Sequence, residues 1–181
     1  MINLIIGEMF SGKTTELFRR LNRYKHAGYK VMLFKYAKDV RFGEERAFMA
    51  SSHDNIHEAA IPVMSMKNID PPEGEPIVIG FDEGQFIDGI EAFAEAAANM
   101  GHIVEIAALC SDYRRCGFER VQALIPKAEK IDKFHAICHY CKDESSFTLI
   151  TDPGNGQQEQ IGGEEKYRPV CRPCYWLHNK E

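Results

Sequence analysis

The feature that most constrains this chain is a glycine-rich motif close to its start. The pattern G-x-x-x-x-G-K-[ST] is met by Gly7, Glu8, Met9, Phe10, Ser11, Gly12, Lys13 and Thr14. In this motif the glycines let successive backbone N–H groups turn towards an anion. The lysine supplies a positive charge for the terminal phosphates of ATP, and the threonine hydroxyl can ligate the accompanying Mg²⁺. The motif therefore predicts that residues 7–14 bind a nucleotide.

The residues on either side of the motif supply the structural context that it requires. Residues 2–6 form an apolar run typical of a buried strand, and Leu17, Phe18, Leu21 and Tyr24 recur on one face of a helix. We therefore expect a strand, the loop and a helix that begins near residue 13. The alternative is an ordinary glycine-rich turn between a strand and a helix.

Composition and charge limit what the 181-residue chain can be. It is 44% hydrophobic and 27% charged with a formal net charge of −5, which is typical of a globular domain with a small appendage. No basic tract favours nonspecific nucleic-acid binding, and we predict that the basic run 19–30 is a solvated helix face rather than a phosphate or partner contact. No apolar run reaches the ~18 residues of a membrane span, and no signal peptide is recognised. We expect a cytosolic protein whose cysteines are reduced.

The order of apolar and amphipathic segments predicts the fold class. Strands are expected over residues 30–36, 76–83 and 102–109, and helices over residues 89–100 and from 118 to about 127. Alternating strands and helices indicate an α/β fold with a mostly parallel sheet and helices on both faces. Residues 37–57 are polar and are predicted to form a long loop, in which Asp39 and Arg41 either reach the nucleotide or are solvated charges.

Two adjacent carboxylates end the strand predicted over residues 76–83. A strand that ends in acidic residues, downstream of a phosphate loop, is typical of the Walker B element. Asp82 would hold Mg²⁺ opposite Thr14, and Glu83 could accept a proton from the group that attacks the terminal phosphate. A surface turn with two acids is the alternative interpretation.

Several large apolar side chains fall at predicted strand ends or in loops. They are Met9, Phe10, Phe86, Tyr113 and Phe118. Singly, such residues are more often part of a core than of a binding site. Their shared placement at loop positions predicts a pocket that stacks on a base.

The C-terminal third contains two CxxC pairs separated by 29 residues. The four cysteines are Cys138, Cys141, Cys171 and Cys174. This spacing predicts a closed, tetrahedral and structural Zn²⁺ site in a zinc ribbon that carries a long loop. The alternatives are paired reduced thiols or a redox couple. Cys110 and Cys116 lack such spacing and are predicted to be ordinary small side chains.

Nearly the whole chain resembles the type II thymidine kinases. The resemblance rests on the phosphate loop with Thr15-Glu16-Leu17 after it, and on four further segments: Lys35-Tyr36-Ala37-Lys38-Asp39, Ser52-His53-Asp54, Asp82-Glu83-Gly84-Gln85-Phe86, and Ile161-Gly162-Gly163 followed by Lys166-Tyr167 and Cys171-Arg172-Pro173-Cys174-Tyr175. It implies a RecA-like P-loop core over residues 1–133 and a zinc-ribbon domain with a lasso loop over residues 134–181. It also implies a homotetramer that transfers the γ-phosphate of ATP to the 5′-hydroxyl of thymidine or deoxyuridine, with feedback by dTTP.

The resemblance also implies roles for individual residues. Glu83 would be the general base. The residues expected to serve the metal and triphosphate, besides the phosphate loop, are Asp39, Arg41, Asp82 and Gln85. The residues expected to line the nucleoside pocket are Met9, Phe86, Leu109, Tyr113, Phe118 and Tyr167. The lasso that would fold over the base comprises Gln158, Glu159, Gln160, Ile161 and Gly162.

One segment departs from the pattern of the family. Where the family usually has Ala-Leu-Asp-Gly, this chain has Ala108-Leu109-Cys110-Ser111. We expect the departure to affect nucleoside preference and to leave the phosphate-binding residues untouched, with Asp112 as a substitute carboxylate.

Two rival functions remain open on the sequence. One is a RecA-like ATPase in which Glu83 activates water and the zinc ribbon grips nucleic acid. The other is a nucleotide sensor without enzymatic activity, suggested by the altered segment at Cys110.

Overall fold

The computed structural model describes residues 1–39, 48–51, 56–151 and 166–179. Its helices are α1 (Lys13–His26), α2 (Ile90–Asn99), α3 (Glu119–Leu124) and α4 (Arg172–His178). Its strands are β1 (Ile2–Gly7), β2 (Val31–Tyr36), β3 (Met49–Ser51), β4 (His57–Ala59), β5 (Ile61–Val63), β6 (Val78–Asp82), β7 (Ile103–Leu109), β8 (Lys130–Phe134), β9 (Phe147–Ile150) and β10 (Tyr167–Val170). Among these helices, none is long and apolar enough to cross a lipid bilayer.

Six parallel strands form the central sheet, in the order β5-β2-β6-β7-β1-β8. The sheet confirms the predicted α/β class. The expected strands at residues 30–36, 76–83 and 102–109 appear as β2, β6 and β7. The edge strands β5 and β8 were not expected from the sequence, because β5 has only three residues and contains Pro62, and β8 mixes polar with apolar residues.

Helices cover both faces of this sheet, as predicted. On one face, Leu17, Phe18 and Leu21 of α1 pack against strand residues such as Ile5. On the other face, α2 and α3 pack against residues such as Leu4. Because successive strand residues point to opposite faces, β1 contributes to both apolar layers, and its residues 2–7 are all buried.

Two expectations about local structure were wrong. Residues 37–57 were predicted to form a long loop, but β3 lies within this segment and pairs antiparallel with β4, which begins at its last residue, His57. The buried ammonium of Lys35 supports the hairpin, since its Nζ donates to the carbonyls of Asp39 at 2.9 Å and Met49 at 3.1 Å. A three-residue strand is too short to give a clear alternation in the sequence.

The second error concerns the basic run of α1, which is only partly solvated. Arg20 is 7% exposed, and its guanidinium contacts the carboxylates of Glu16, Glu105 and Asp132 at 2.8, 3.1 and 2.6 Å. Its neighbour Arg19 is exposed and pairs with Glu16. The partners of Arg20 on β7 and β8 are distant in sequence, so helical periodicity alone could not separate these two arginines.

A smaller unit follows β8 and contains both CxxC pairs. We call residues 135–151 and 166–179 the cysteine module. Its strands β9 and β10 form an antiparallel pair, and α4 packs against β9. Its small buried core contains Leu149, Val170 and Tyr175 together with Cys138, Cys171 and Cys174.

Candidate active site

The site lies where the parallel strands of the central sheet end. The phosphate loop follows β1, Asp82 ends β6, Leu109 ends β7, and Asp39 follows β2. Because these strands are parallel, their carboxyl ends share one edge of the sheet, where ligands bind in open α/β folds. Residues remote in sequence are thereby gathered at this edge.

The phosphate loop is folded into a compact turn. Gly12 has φ of 81° and precedes α1, and Phe10 has φ of 65°, a left-handed conformation that a bulky side chain rarely adopts. The carbonyl oxygen of Glu8 accepts hydrogen bonds from Ser11 Oγ at 2.8 Å and from Lys13 Nζ at 2.6 Å. The loop therefore places its lysine against its own backbone, at the positive N-terminus of α1.

A hydrogen bond joins the phosphate loop to the acid pair. Thr14 Oγ1 donates to Asp82 Oδ1 at 3.0 Å, and Asp82 is 3% exposed. Strand β7 lies between β1 and β6, so the backbones are ~10 Å apart, and only the side chains close the distance. A hydroxyl and a carboxylate in contact form an oxygen donor set that suits Mg²⁺.

Three carboxylates surround the lysine of the phosphate loop. Burial lowers the pKa of Lys13, and the negative charges of Glu83, Glu8 and Asp82 oppose that shift. These charges act on Lys13 only because they lie near it. Lys13 and Glu83 therefore lie at the same edge of the sheet, and their shared role in one reaction stays a prediction.

Glu83 is held in an unusual conformation at the tip of β6. Its φ of 55° is left-handed, although the residue is not glycine, and such strain is concentrated at functional sites. Gln85 Nε2 donates to Glu83 Oε2 at 2.5 Å, while Gln85 Oε1 accepts from the Leu109 N–H at 2.9 Å. Gln85 is 1% exposed and ties the carboxylate of Glu83 to the end of β7. The sequence named Gln85 as a cofactor ligand and missed this contact.

An aromatic series borders the acid pair. The rings of Tyr36 and Phe86 lie 5.2 Å apart, and those of Phe86 and Phe118 lie 5.6 Å apart in an edge-to-face arrangement. Met9 is buried, and Leu109 is half-buried at the end of β7. Tyr36 was not predicted as a pocket residue, and it is buried at 2% exposure.

A second group of predicted pocket residues lies where the cysteine module meets the loop after β7. Burial raises the pKa of Tyr167 to about 12, with smaller contributions from Tyr113 and Asp112, so these three residues are neighbours. The hydroxyl of Tyr175 donates to the carbonyl oxygen of Tyr113 at 2.9 Å. The guanidinium of Arg115 lies 4.8 Å from the ring centroid of Tyr175.

The departure at Cys110 has different contacts from those expected. The N–H of Cys110 donates to the carbonyl oxygen of Gly7 at 3.2 Å, a backbone contact that does not depend on the side chain, so the expected effect of the departure on nucleoside preference stays a prediction. Asp112 uses its carboxylate to close its own loop, accepting from the N–H groups of Arg114 at 2.9 Å and Cys116 at 2.8 Å. Asp112 is therefore a loop-stabilising residue rather than a free substitute for the missing carboxylate.

Of the remaining predicted site residues, Asp39 lies within the described part of the chain and the others lie outside it. Asp39 is half-buried after β2, and its carbonyl accepts from Lys35. Outside the described residues lie Arg41 and the expected lasso residues Gln158, Glu159, Gln160, Ile161 and Gly162. Their roles remain predictions.

The four paired cysteines form one cluster. The Sγ atoms of Cys138, Cys141, Cys171 and Cys174 all lie within 4.8 Å of one another. A tetrahedral site with Zn–S bonds of about 2.3 Å requires sulfur atoms ~3.8 Å apart, so the cluster fits Zn²⁺ closely. Burial raises the pKa of Cys138, but N–H groups of Cys141, Cys171 and Tyr140 outweigh it and lower the pKa to about 6.

Comparison with known proteins places the chain among known enzymes. The family model described as thymidine kinase matches residues 1–175. The thymidine kinase of Sheeppox virus (strain KS-1) is 44% identical over 177 residues, which cover 97% of each protein. That of Myxoma virus (strain Lausanne) is 42% identical over 97% of this chain and 96% of its own length. The cytosolic thymidine kinase of Bos taurus is 39% identical over 97% of this chain and 71% of its own length.

Proposed function

The chain belongs to the thymidine kinase family, and we propose that it transfers the γ-phosphate of ATP to the 5′-hydroxyl of thymidine or deoxyuridine. One observation carries the proposal beyond family membership. Thr14 of the phosphate loop contacts Asp82, and Lys13 and Glu83 are the chain neighbours of these two residues, so that all four lie at one edge of the sheet. Phosphoryl transfer needs this combination of a phosphate cradle, a metal site and a base.

The phosphate end of the site would act by electrostatic stabilisation. The backbone N–H groups of residues 9–13 and the ammonium of Lys13 would bind the phosphate oxygens, since this loop precedes α1. Thr14 and Asp82 would hold Mg²⁺, which when bound neutralises charge on the triphosphate. In the structure the lysine contacts the carbonyl of Glu8, and we propose that phosphate oxygens replace that carbonyl as its partner.

At the nucleoside end, Glu83 would accept the proton of the 5′-hydroxyl. Its carboxylate is oriented by Gln85, and its backbone is held in a strained turn that aims the side chain at one place. The aromatic rings of Phe86 and Phe118, together with Tyr113 and Tyr167, would enclose the base. This division of roles keeps the reacting hydroxyl between the base and the phosphate loop.

The proposal is tested by identifying the product. The purified chain is incubated with ATP, Mg²⁺, deoxyuridine and the four deoxynucleosides, and the products are identified by mass spectrometry. We expect thymidine or deoxyuridine monophosphate and an equal amount of ADP. ADP release that depends on single-stranded DNA instead would favour the ATPase, and tight nucleoside binding without a product would favour the sensor.

The role of Glu83 is tested by its amide variant. Glu83→Gln keeps the size and the contact with Gln85 but removes the proton acceptor, so turnover should fall by at least ~10²-fold. ATP affinity should change little, because the phosphate loop is intact. Turnover close to that of the wild type would remove Glu83 from this role.

Other features of the family belong to the same proposal. We propose that the cysteine cluster holds a structural zinc ion, that the chain forms a homotetramer, and that dTTP inhibits it by feedback. The bovine relative is named a cytosolic enzyme, and we propose a cytoplasmic location for this chain as well.

A further inference from the structure

The phosphate loop contains one acidic side chain, Glu8, and it is turned towards the cysteine module. Glu8 is 2% exposed. Its Oε1 accepts hydrogen bonds from the N–H of Ala136 at 2.7 Å and from Ser145 Oγ at 2.7 Å. Both donors belong to the cysteine module, more than 100 residues away in sequence. A residue of the nucleotide loop thus forms a buried contact with the module.

A carboxylate is an unexpected group in an anion-binding loop. Its charge repels phosphates, and burying it is unfavourable unless hydrogen bonds compensate. Here the compensation is incomplete, because among the described residues Oε2 of Glu8 has no hydrogen-bond partner. The position is therefore unfavourable both for phosphate binding and for burial. Its two hydrogen-bond donors from the module indicate that Glu8 connects the phosphate loop to the module.

The backbone of the same residue positions the catalytic lysine. The carbonyl oxygen of Glu8 accepts from Lys13 Nζ at 2.6 Å and from Ser11 Oγ at 2.8 Å. The side chain of Glu8 is anchored in the module, while its carbonyl fixes the loop. A shift of the module would therefore move the loop backbone, whose N–H groups are the proposed partners of the phosphates.

The donors on the module side are rigidly placed. Ser145 is fully buried, and its N–H donates to the carbonyl oxygen of Ala136 at 2.8 Å. Cys138, one of the clustered thiols, lies two residues beyond Ala136. On the other side, Gly7 is so close to β8 that an added Cβ would lie 2.5 Å from the carbonyl oxygen of Phe134. The start of the loop is therefore packed tightly against the end of β8, directly before the module.

We propose that Glu8 is a positioning residue that couples the folded cysteine module to the phosphate loop and so raises the affinity for ATP. We call its contacts with Ala136 and Ser145 the Glu8 latch. This inference rests on the proposed function only in naming ATP as the nucleotide. It predicts that the module contributes to phosphate binding without touching the phosphates.

Two variants of Glu8 separate the latch from a simple charge effect. If charge alone mattered, Glu8→Ala and Glu8→Gln would both bind ATP more tightly, because each removes a negative charge near the phosphates. The latch predicts the opposite for alanine, a loss of ATP affinity of at least ~10-fold, since buried donors lose their acceptor. The glutamine retains an acceptor oxygen and should recover most of that loss. Affinity is measured by calorimetry, and the Michaelis constants for ATP and thymidine are measured separately.

Kinetics distinguish positioning from general damage to the fold. Glu8→Ala should raise KM for ATP by ~10-fold but change kcat at saturating ATP and KM for thymidine by less than ~3-fold. In a misfolded variant, kcat and the apparent affinities for ATP and thymidine would all fall together. Unchanged ATP affinity in Glu8→Ala, or tighter binding in both variants, would overturn the inference.

Two neighbouring serines provide a matched control on the module side. Ser145 Oγ contacts Glu8, whereas Ser146 Oγ lies 3.2 Å from Nδ1 of His135 instead. Ser145→Ala should weaken ATP binding by ~3–10-fold, and Ser146→Ala by less than ~2-fold. Equal effects of the two substitutions would contradict the latch.

Hydrogen exchange gives a readout without nucleotide. The Ala136 N–H should exchange slowly in the wild type and at least ~10-fold faster in Glu8→Ala, with protection largely restored in Glu8→Gln. A wild type that binds ATP but phosphorylates no nucleoside would overturn the proposed function and leave the latch supported by these measurements. Unchanged exchange in Glu8→Ala would overturn the latch and leave the proposed function standing.

Discussion

The two parts of the molecule are stabilised in different ways. The central sheet is enclosed by two apolar layers, in which residues such as Leu4, Phe18 and Ile79 are at most 2% exposed. In the cysteine module, three of the six buried core residues are cysteines. The sheet thus has enough apolar side chains to fold by their burial, whereas the module has few.

We therefore expect the two parts to be stabilised by different interactions. Apolar burial is available to the sheet as soon as its strands and helices meet. A unit as small as the module usually needs a metal or a disulfide, and its four clustered thiols supply a metal site. The site at the edge of the sheet is therefore supported from one side by a large apolar core and from the other by a unit whose small core we expect to need a metal ion.

Removal of zinc should have the largest effect and should be confined to the module. A selective zinc chelator, with Mg²⁺ in excess, should unfold the cysteine module, because structural zinc contributes on the order of 10 kcal/mol to such units. The amides of β1 and β7 should keep their protection from hydrogen exchange. The measurement is exchange with and without chelator, together with zinc content, expected to be about one per chain.

Two outcomes would break this comparison. Loss of protection throughout the sheet would mean that the two parts fold as one cooperative unit. A module that stays folded without metal would mean that its packing is sufficient.

A matched pair of leucines should show the next largest effect. Leu4 in the sheet is fully buried and Leu149 in the module is 5% exposed. Leu4→Ala should lower the free energy of unfolding of the core by about 2–5 kcal/mol, because it leaves a cavity. Leu149→Ala should change that energy by less than ~1 kcal/mol and instead weaken zinc binding, because Leu149 packs among the ligands.

Denaturant unfolding measures the free energy of unfolding of the core, and competition with a chelator measures zinc affinity. If Leu149→Ala destabilises the sheet as much as Leu4→Ala does, the two parts are not separate sources of stability.

The smallest expected effect concerns the contact between the parts on the nucleoside side. Tyr175→Phe removes the hydrogen bond to the Tyr113 carbonyl, worth about 1 kcal/mol, and should raise KM for thymidine about fivefold. KM for ATP should not change, in contrast with Glu8→Ala. Tyr140→Phe is the control, because its hydroxyl contacts Arg168 within the module. Equal effects of both substitutions would indicate a general loss of packing.

The sequence was sufficient where the chemistry is local. The phosphate loop, the acid pair and the two CxxC pairs each occupy a short stretch, and a spacing of two to five residues defines the ligand geometry. The pattern of apolar residues likewise predicted β1, α1 and β6, because a buried strand or helix must repeat its apolar positions.

Errors arose where a partner is distant in sequence. Arg20 looked like one of several solvated basic residues, and only Glu105 and Asp132 on other strands make it a buried group. Gln85 was recognised as part of a motif, yet its bond from the Leu109 N–H on β7, which ties Glu83 to that strand, joins residues that are 24 positions apart. Local patterns do not specify such contacts.

The sequence by itself determined which chemical groups this protein has: a phosphate-loop motif, two acids at a strand end and four thiols at zinc spacing. Only the tertiary structure decided how they are combined. It brought Thr14 to Asp82 across an intervening strand and directed Glu8 towards the module rather than into solvent. The physical reason is that bond geometry fixes neighbours along the chain, whereas contacts between remote residues depend on the packing of the whole sheet.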